Sequence, residues 1–581
     1  MSLFATMNLA NSALHASQLG INVAGHNIAN ADRPGFSRQR VEQHAMYRRS
    51  APFGQQGFGV TVSGITRIRN EFIDTQIRRQ SFELGKHRAI DSALESMENI
   101  VREPSDTGIQ EFMNRFFNSW DTLAQNPADI SARRNLIANA DVLVDVFRNV
   151  ASELHNLKTS RNADIVSVVG EINIIARDIF NLNTEISIAE ANGGNANDSR
   201  DRRDFLMRRL AELTDYDYIT DSTGQVSISM NGHILVSAVS VNTVEIFSPP
   251  NVITDSQGFA QFGLRMVNGR GVITPSGGEL AGLFAARDVF IPNMERQLDQ
   301  LAAGLVAAVN EQHREGFNLR GQSGFNFFDP QGITARTISV STGITTDPGN
   351  IAAAGGGGIM SDLRRNEIPA GGMSPIGTPF LLSTIDGSDG WNSTTDHDTD
   401  RARNLVAGTV VVSMPLTPPG SGQIQLVEGR DFRVDYVLGT IQLLADQNGV
   451  NQYEGVDLEI SFRFVTGGFE GEGGNMNALA IYELRRAPLM GNTNIFGNPT
   501  STFSEFYAAS VAQLGLDRRE ATANVNTRQF LIDGYDEHQD SIAGVSLDEE
   551  AANIMRLQYS YQAAARIFSS VQSMLDILLN L

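Results

Sequence analysis

Apolar residues recur in alternating steps of three and four from Ser546 to Leu581. The seam of this pattern is apolar at every position except one and comprises Leu547, Glu550, Ile554, Leu557, Tyr561, Ala564, Phe568, Val571, Leu575 and Leu578. On a helix this spacing places one apolar stripe along one side. Ser546 and Glu549 have the spacing of a capping box, which predicts the start of that helix. A second apolar column, formed by Ile567, Met574 and Leu581, predicts burial of the last turns on more than one side.

The first stretch of the chain carries the same seven-residue repeat. Its seam comprises Leu3, Met7, Ala10, Leu14, Ser17, Ile21, Ala24 and Ile28, and no Asp, Glu, Lys or Arg precedes Asp32. Two ordinary core helices would satisfy both patterns. The alternative that we favour is an antiparallel coiled coil formed by the two ends, whose outer faces contact neighbouring subunits.

Further helical patterns lie between the two ends. Helices are predicted for residues 70–102, for residues 109–123 and for about 131–192, where a continuous helix would be ~90 Å long at 1.5 Å per residue. Helices are also predicted for residues 291–316, 475–489 and 503–539, the last with a capping box formed by Thr502 and Glu505.

Alternation with a period of two predicts strands in three places. Residues 59–65 predict one short strand. Within residues 215–275, alternating apolar residues flank Asn231-Gly232, a strong hairpin-turn signal. Within residues 330–466, two strands are predicted from Gln423 to Leu443 around Leu438-Gly439, and another from Val456 to Phe464.

The predicted fold class is a multidomain α plus β protein. A long helical-bundle and coiled-coil framework, formed by both termini and the central helices, carries two inserted β-rich domains. The predicted boundaries are 1–65 and 540–581 for a terminal coiled-coil domain, 66–214, 276–329 and 467–539 for a helical domain, 215–275 for a small β domain, and 330–466 for a β-rich surface insertion.

Composition narrows the possible functions. The chain has 66 acidic and 45 basic side chains and a formal charge of -21, which argues against a surface that binds nucleic acid. It contains no cysteine, so disulfides, thiolate metal sites and thiol nucleophiles are excluded. The absence of an apolar run of 18 residues argues against a membrane span, and no cleaved signal peptide is expected.

Candidate chemistry is sparse. The nine histidines show no metal-ligand spacing, and neither a G-x-S-x-G elbow nor a phosphate-binding loop is present. Asp396 to Asp400 resembles the start of a calcium loop, but Arg401 occupies the glycine position, so a solvated acidic turn is expected. Arg200 to Asp204 predicts a helix start with local charge pairs. We therefore expect no catalytic residue, no metal and no cofactor.

The stretch from Asn27 to Arg40, NIANADRPGFSRQR, predicts a helix stop and a tight exit. As a string it resembles the N-terminal signature of the rod, hook and hook-associated proteins of the bacterial flagellum. Its form from Pro34 to Gln39 is similar to that of the hook-associated protein 1 family. Further resemblance to this family lies at residues 197–204, 230–232, 277–283, 311–316, 324–328, 544–553 and 558–566, so that it covers roughly 1–328 and 470–581.

The resemblance implies a secreted structural subunit at the hook–filament junction, exported unfolded through the flagellar type III apparatus. Implied partners are further copies of the chain in a ring or short helical layer, the hook protein, the next hook-associated protein on the filament side, and an export chaperone on the C-terminal segment. It also implies termini that become ordered only on assembly.

Assembly contacts are expected at the two seams and at the signature, namely at Met7, Leu14, Ile21, Asn27, Ile28, Asn30, Pro34, Gly35, Phe36, Ile554, Leu557, Tyr561, Phe568, Val571, Leu575 and Leu578. Two alternatives stay open. A hook or distal-rod subunit is disfavoured by Arg38-Gln39 and by the resemblance inside the central helices. A surface enzyme with residues 330–466 as its catalytic module is disfavoured because no carboxylate or histidine constellation occurs there.

Overall fold

A computed structural model describes residues 3–50, 54–191, 193–248, 262–267, 271–355, 471–491 and 499–579, together with strands 359–367, 380–381, 411–415, 423–425, 432–435, 440–443 and 457–465. For residues 48–50, 54–56, 578–579 and the strands from 359 to 465, it describes the backbone alone. The acidic turn predicted at Asp396–Asp400 lies outside the described residues, and so does the side chain of Leu578.

Helices and strands alternate along the chain. The helices are α1 Leu3–Ala29, α2 Glu71–Val101, α3 Ile109–Gln125, α4 Ile130–Ala191, α5 Asn197–Leu213, α6 Gly278–Ala285, α7 Ile291–Glu315, α8 Thr342–Thr346, α9 Met476–Glu483, α10 Phe503–Ala543 and α11 Leu547–Leu579. The strands are β1 Gln39–Ser50, β2 Gly54–Arg67, β3 Asp217–Thr220, β4 Val226–Met230, β5 His233–Val236, β6 Val244–Phe247, β7 Gly263–Met266, β8 Val272–Ile273, β9 Ile359–Glu367, β10 Phe380–Leu381, β11 Val411–Pro415, β12 Gln423–Gln425, β13 Phe432–Asp435, β14 Thr440–Leu443 and β15 Asp457–Val465.

The mixed α plus β class is confirmed, with long helices at the termini and centre and small antiparallel sheets. The continuous central helix is also confirmed, because α4 runs for 62 residues. The chain forms two compact units. The terminal unit comprises Met1–Glu95, Leu157–Phe290 and Leu516–Leu581, and the central unit comprises Ser96–Asn156 and Ile291–Gly515. The finer domain boundaries given above stay a prediction.

Two small sheets in the terminal unit, β3-β4-β5 and β6-β7-β8, pack against α4 and α5. Asn183 of α4 bonds both backbone groups of Val226, at 2.7 and 3.0 Å. Asn173, almost three helical turns earlier, bonds both backbone groups of Val244 at 2.8 Å. Each amide therefore takes the place of a missing strand partner and fixes one sheet to the helix.

The hairpin predicted around Asn231-Gly232 is confirmed. β4 and β5 are antiparallel, and both turn residues have positive φ, 48° and 77°. This is the geometry of a tight type I′ turn.

The predicted short strand at residues 59–65 is wrong in extent. It is the middle of β2, which pairs with the 12-residue strand β1 in a long antiparallel hairpin. The first arm, from Gln39 to Ser50, contains few apolar residues, so that the alternation of apolar and polar residues typical of a strand is weak there. The hairpin packs on α1.

Two further predictions need correction in the central unit. Gln423 to Leu443 contains three strands, because β12 pairs with β11 and only β13 and β14 flank Leu438-Gly439. The helix predicted for residues 475–489 is shorter, since α9 ends at Glu483 and a 3₁₀ turn follows. Pro488 disfavours helical geometry at the preceding residue, which accounts for the early end.

The core of the central unit is aromatic. Phe116, Trp120 and Phe327 are completely buried, and the ring centroids of Trp120 and Phe327 lie 5.2 Å apart. His313 is also fully buried, with its Nδ1 2.6 Å from the carbonyl oxygen of Phe325. Its Nε2 accepts a hydrogen bond from the backbone N–H of Ala352 at 2.9 Å. The ring is therefore neutral and donates from Nδ1.

Acid is expected to destabilise the central unit through this histidine. Burial, which outweighs the hydrogen bond to Phe325, lowers the pKa of His313 from 6.5 to about 4. As pH falls, His313 is therefore protonated in the unfolded chain before it is protonated in the folded chain. The contribution of the neutral ring to the free energy of unfolding is complete above pH 6.5 and is lost towards pH 4. The expected loss is ~3 kcal/mol of unfolding free energy.

Urea unfolding followed by the fluorescence of Trp120, whose ring centroid lies 6.1 Å from that of His313, measures this loss. The experiment is done in a Trp391→Phe background, which removes the second tryptophan. A His313→Gln variant serves as the control and should lack the change between pH 6.5 and 4. If the free energy of unfolding depended on pH in the same way in both proteins, His313 would not be the cause of the destabilisation by acid.

Candidate assembly interface

The two end helices pair antiparallel, as the favoured interpretation predicts. Ser17 Oγ of α1 lies 3.3 Å from Ser560 Oγ of α11. A Cβ added to Gly20, three residues later, would lie 2.9 Å from Leu557, three residues earlier on the partner helix. The missing side chain at Gly20 therefore leaves room for the side chain of Leu557 against α1.

The predicted seams are the sides on which α1 and α11 bury apolar surface. In α1, Ala10, Ser17 and Ala24 are buried at intervals of seven residues. The larger predicted residues lie between them and are half-buried, namely Met7, Leu14, Ile21 and Ile28. In α11, Val571 is buried and Tyr561 is exposed, while the half-buried members are Ile554, Leu557, Phe568 and Leu575.

Apolar side chains also project from these helices into solvent. On α11 the exposed fractions are 72% for Tyr559, 51% for Met574 and 62% for Ile577. Phe4 of α1 is 68% exposed. We call Phe4, Met555, Tyr559, Ile567, Met574 and Ile577 the exposed apolar column. Because contiguous exposed apolar surface is typical of protein–protein contact sites, we treat these side chains as candidates for assembly contacts.

The signature stretch begins with a clamp. Asn27, at the end of α1, is buried and donates from Nδ2 to the carbonyl of Gln39 at 2.9 Å. Its Oδ1 accepts from the backbone N–H of Gln39 at 3.0 Å. Asn30 donates to the carbonyl of His26 from both its side-chain Nδ2, at 2.9 Å, and its backbone N–H, at 3.2 Å, at the end of the helix. The first strand of the hairpin is thus fixed to α1.

The turn itself is only partly sheltered. Pro34 and Gly35 are exposed, and Phe36 is half-buried with its ring edge-on to His26 at 5.6 Å between centroids. Gly35 has a φ of 80°, and an added Cβ would lie 3.1 Å from the side chain of Phe205. Both the backbone angle and the space therefore require glycine at this position.

After the turn, the chain is tied to α5. Asp201 is buried and accepts hydrogen bonds from the backbone N–H of Ser37 at 2.9 Å and from its hydroxyl at 2.7 Å. Arg67 donates to the same carboxylate at 2.8 Å and forms an ion pair with Asp204 at 2.7 Å. Arg69 forms a bidentate pair with Asp74 at 2.5 and 2.9 Å. We call these six residues the anchor network.

Neighbouring charges in the anchor network stabilise the ionised forms of Arg69 and Asp204. Burial by itself would lower the pKa of Arg69, but the hydrogen bond to Asp74 and the charges of Asp204, Asp74 and Asp201 outweigh it and raise that pKa. Burial would raise the pKa of Asp204, but Arg67, Arg69 and Arg203 outweigh it and lower that pKa. Both shifts favour the charged forms of Arg69 and Asp204.

The predicted local charge pairs at Arg200 to Asp204 are not what the structure shows. The helix does start there, but Arg200 forms an ion pair with Glu190 at 2.6 Å, and Asp201 and Asp204 bind residues more than 130 positions earlier. The spacing of charges on one helix does not reveal a partner from another element, which is why the sequence interpretation missed it.

Arg38 links the signature to the C-terminal helix. Its Nε lies 2.6 Å from Glu550 Oε1 and its Nη1 lies 3.0 Å from Glu549 Oε2. The capping box predicted at the start of α11 is accordingly half formed. Ser546 Oγ accepts from the backbone N–H of Glu549 at 3.4 Å, while the Glu549 carboxylate turns to Arg38. The box predicted with Thr502 and Glu505 is complete, with bonds of 2.9 and 3.2 Å.

Neither metal ligation nor membrane insertion finds support in this part of the chain. Across the described residues, no group of three or more histidine, aspartate or glutamate side chains is arranged to hold a metal ion. A search of the same residues finds no helix with the length and apolar character needed to cross a bilayer.

Two protein families match parts of the chain. The flagellar hook-associated protein FlgK helical domain matches residues 94–328, and the C-terminal domain of the flagellar basal body rod FlgEFG proteins matches residues 540–581. The second match covers α11, the helix that carries most of the exposed apolar column.

Whole-length relatives are also similar to the chain. Flagellar hook-associated protein 1 of Bacillus subtilis is 24% identical over 100% of this chain and 98% of its own length. The protein of the same name from Salmonella typhimurium is 26% identical over 99% of both chains. The structure of the flagellar hook junction protein FlgK from Burkholderia pseudomallei resembles this fold with a TM-score of 0.54, at 15% identity, over 80% of this chain and 100% of that chain.

The terminal unit combines paired end helices, exposed apolar side chains and a signature loop tied to its helical body, features suited to a structural subunit. Together with these similarities, they make the chain a structural component of the bacterial flagellum. Over its whole length it is similar to members of the flagellar hook-associated protein 1 (FlgK) family.

Proposed function

We propose that this protein forms the hook–filament junction and assembles through its N- and C-terminal helices. The observation that carries the proposal is the exposed apolar column, in which Tyr559 and Ile577 are 72% and 62% exposed in the single chain. Burying one such side chain contributes about 1.5–3 kcal/mol. Several of them, repeated in every copy, are sufficient to hold a ring or a short helical layer together.

Contacts between copies in such a layer would be heterologous, because each subunit presents one face to the next and another to the previous one. We propose the hook protein and the next hook-associated protein on the filament side as neighbours above and below. An export chaperone would cover the C-terminal segment before assembly. Export would proceed without a cleaved signal peptide, and the protein would act without catalysis.

Deletion of the gene tests the location. We expect intact hooks and filament subunits released into the medium, because the junction would be missing while the hook still forms. Missing hooks would instead favour a hook or distal-rod subunit, a second candidate that the match of residues 540–581 to rod proteins keeps open. Electron microscopy of purified hooks and an immunoblot of the medium distinguish these results.

Charged substitutions in the exposed apolar column should abolish assembly without unfolding the chain. Met574→Asp with Ile577→Asp would bury two carboxylates in the contact, which is strongly unfavourable. Both positions are more than half exposed in the single chain, so its melting temperature should change by less than about 2 °C.

The matched control for this pair is Val239→Asp, an 86% exposed apolar residue of the terminal unit that lies outside the column. Motility in a deletion strain and the melting temperature of the purified protein are the measurements. Normal motility of the double variant would contradict the role of the column.

A further inference from the structure

The seam of α11 contains one charged residue, and that residue is buried. Glu550 is 3% exposed and lies on the side of the helix that faces α1. A buried carboxylate costs several kcal/mol unless a partner compensates it. Its partner is Arg38, at 2.6 Å, whose side chain is 20% exposed.

The backbone of Arg38 is held from two sides, because its neighbour is bound to α1 and its own N–H donates to the carbonyl of Ala543, the last residue of α10, at 3.2 Å. The next residue, Gln39, is clamped to α1 by both hydrogen bonds of Asn27. The carbonyl of Arg38 accepts from the backbone N–H of Ile68 at 2.8 Å, at the end of the hairpin. The guanidinium therefore has a fixed position next to the N-terminal helix, and Glu550 is the residue of α11 that forms the buried ion pair with it.

Apart from Gly20, which makes room for Leu557 in the observed alignment, the apolar part of the seam is compatible with more than one alignment. Buried small residues recur in α1 every seven positions, at Ala10, Ser17 and Ala24. A slide of α11 by one heptad, about 10.5 Å, would again place its large residues against these small ones. The slide would displace Leu547, which is 56% exposed in the observed alignment, and by sequence position it would bring Leu578 and Leu581 opposite the start of α1.

Chain connectivity blocks only one direction of this slide. Only residues 544–546 separate α10 from α11, and they are too short to be stretched by a heptad. In the other direction the first two turns of α11 can be looped out, which brings Ile567 opposite Ser17 in place of Ser560. Leu557 would then meet Arg38, and the ion pair would be lost.

We infer that the Arg38–Glu550 ion pair is the positioning element that sets the heptad register of the C-terminal helix on the N-terminal helix. A single polar group in an apolar seam is known to select register at a cost in stability. The functional consequence of this register rests on the proposed assembly role. The register decides which α11 side chains stand in the exposed apolar column beside Phe4.

Disulfide trapping in the full-length monomer tests the inference, since the chain has no native cysteine to interfere. Ser17→Cys with Ser560→Cys reports the observed register, because the two hydroxyls lie 3.3 Å apart. Ser17→Cys with Ile567→Cys reports the register shifted by one heptad. Each pair is placed in three backgrounds: the native sequence, Glu550→Leu, and the control Glu549→Leu, whose side chain is 65% exposed.

In the native and control backgrounds, we expect disulfide formation only in the first cysteine pair. In the Glu550→Leu background, both pairs should form, with helix content unchanged by circular dichroism. A purely stabilising role of Glu550 would lower the yield of the first pair without producing the second. Confinement of the disulfide to the first pair in Glu550→Leu would overturn the inference.

If neither pair forms in Glu550→Leu because α11 has detached, Arg38→Leu with Glu550→Leu decides. This double variant removes the unpaired cation. Renewed trapping in both pairs supports the inference, whereas trapping in the first pair alone, or in neither, overturns it. The result does not depend on where the protein lies in the flagellum, so failure here leaves the gene-deletion test of the junction role unaffected.

Discussion

Removal of residues 546–581 is expected to leave a folded, monomeric protein that no longer supports motility. The deleted helix buries only a narrow strip of its surface within the chain, with Glu550, Ala564 and Val571 as its buried residues among those described. The core of the terminal unit, formed by α4, α5 and the small sheets, does not include α11. Most of the surface that the truncation removes is therefore exposed in the single chain, and we propose that it contacts other copies.

Size-exclusion chromatography, circular dichroism and a motility assay in a deletion strain measure this effect. The shorter control deletes Leu579–Leu581, which retains every member of the exposed apolar column. We expect the long truncation to abolish swarming and to keep a cooperative melting transition. Functional filaments built by the long truncation would show that α11 is not needed for assembly, and the proposed function would fall.

Asp201→Ala is expected to cost 3–5 kcal/mol of unfolding free energy, the cost of breaking a buried ion pair by removing one partner. The carboxylate accepts bonds from Ser37 and from Arg67 within 3 Å. Its loss leaves the Arg67 guanidinium in a site where it is only 16% exposed, with Asp204 as its remaining ion-pair partner. The signature loop should then detach from α5.

Glu245→Ala is the matched control for Asp201→Ala. It breaks an ion pair of similar length, 2.6 Å to Arg265, on the surface of the same unit. Exposed pairs contribute up to about 1 kcal/mol, so this variant should unfold near the native midpoint in urea. Equal destabilisation by the two substitutions would show that the anchor network contributes no more than surface charge.

The sequence predicted those parts of the fold that depend on local pattern. The long helix from Ile130 to Ala191 and the hairpin turn at Asn231-Gly232 follow from periodicity and turn chemistry, which neighbouring residues decide. The first arm of the long hairpin, β1, was missed because its residues are mostly polar and its partner strand supplies the hydrogen bonds. No local signal distinguishes such a strand from a loop.

The candidate site was predicted in part. The seam positions and the antiparallel pairing of the ends follow from the heptads, whereas the anchor network does not. Asp201 and Ser37 are 164 positions apart, and nothing in either segment identifies the other as its partner. One signal was present in the sequence, because Glu550 is the single charged residue in an otherwise apolar seam, and such an exception indicates a buried ion pair.

The burial of the anchor network determines how a flagellar protein, which is exposed to the external medium, responds to changes in salt concentration. Arg67 and Arg69 are each 16% exposed and their partners less, so dissolved ions cannot enter between them. Screening by salt acts on pairs that water reaches and much less on sheltered ones. The stability of the contact between the signature loop and α5 should therefore be nearly the same at low and at high salt concentration. The proposed apolar contacts between subunits should not weaken under either condition.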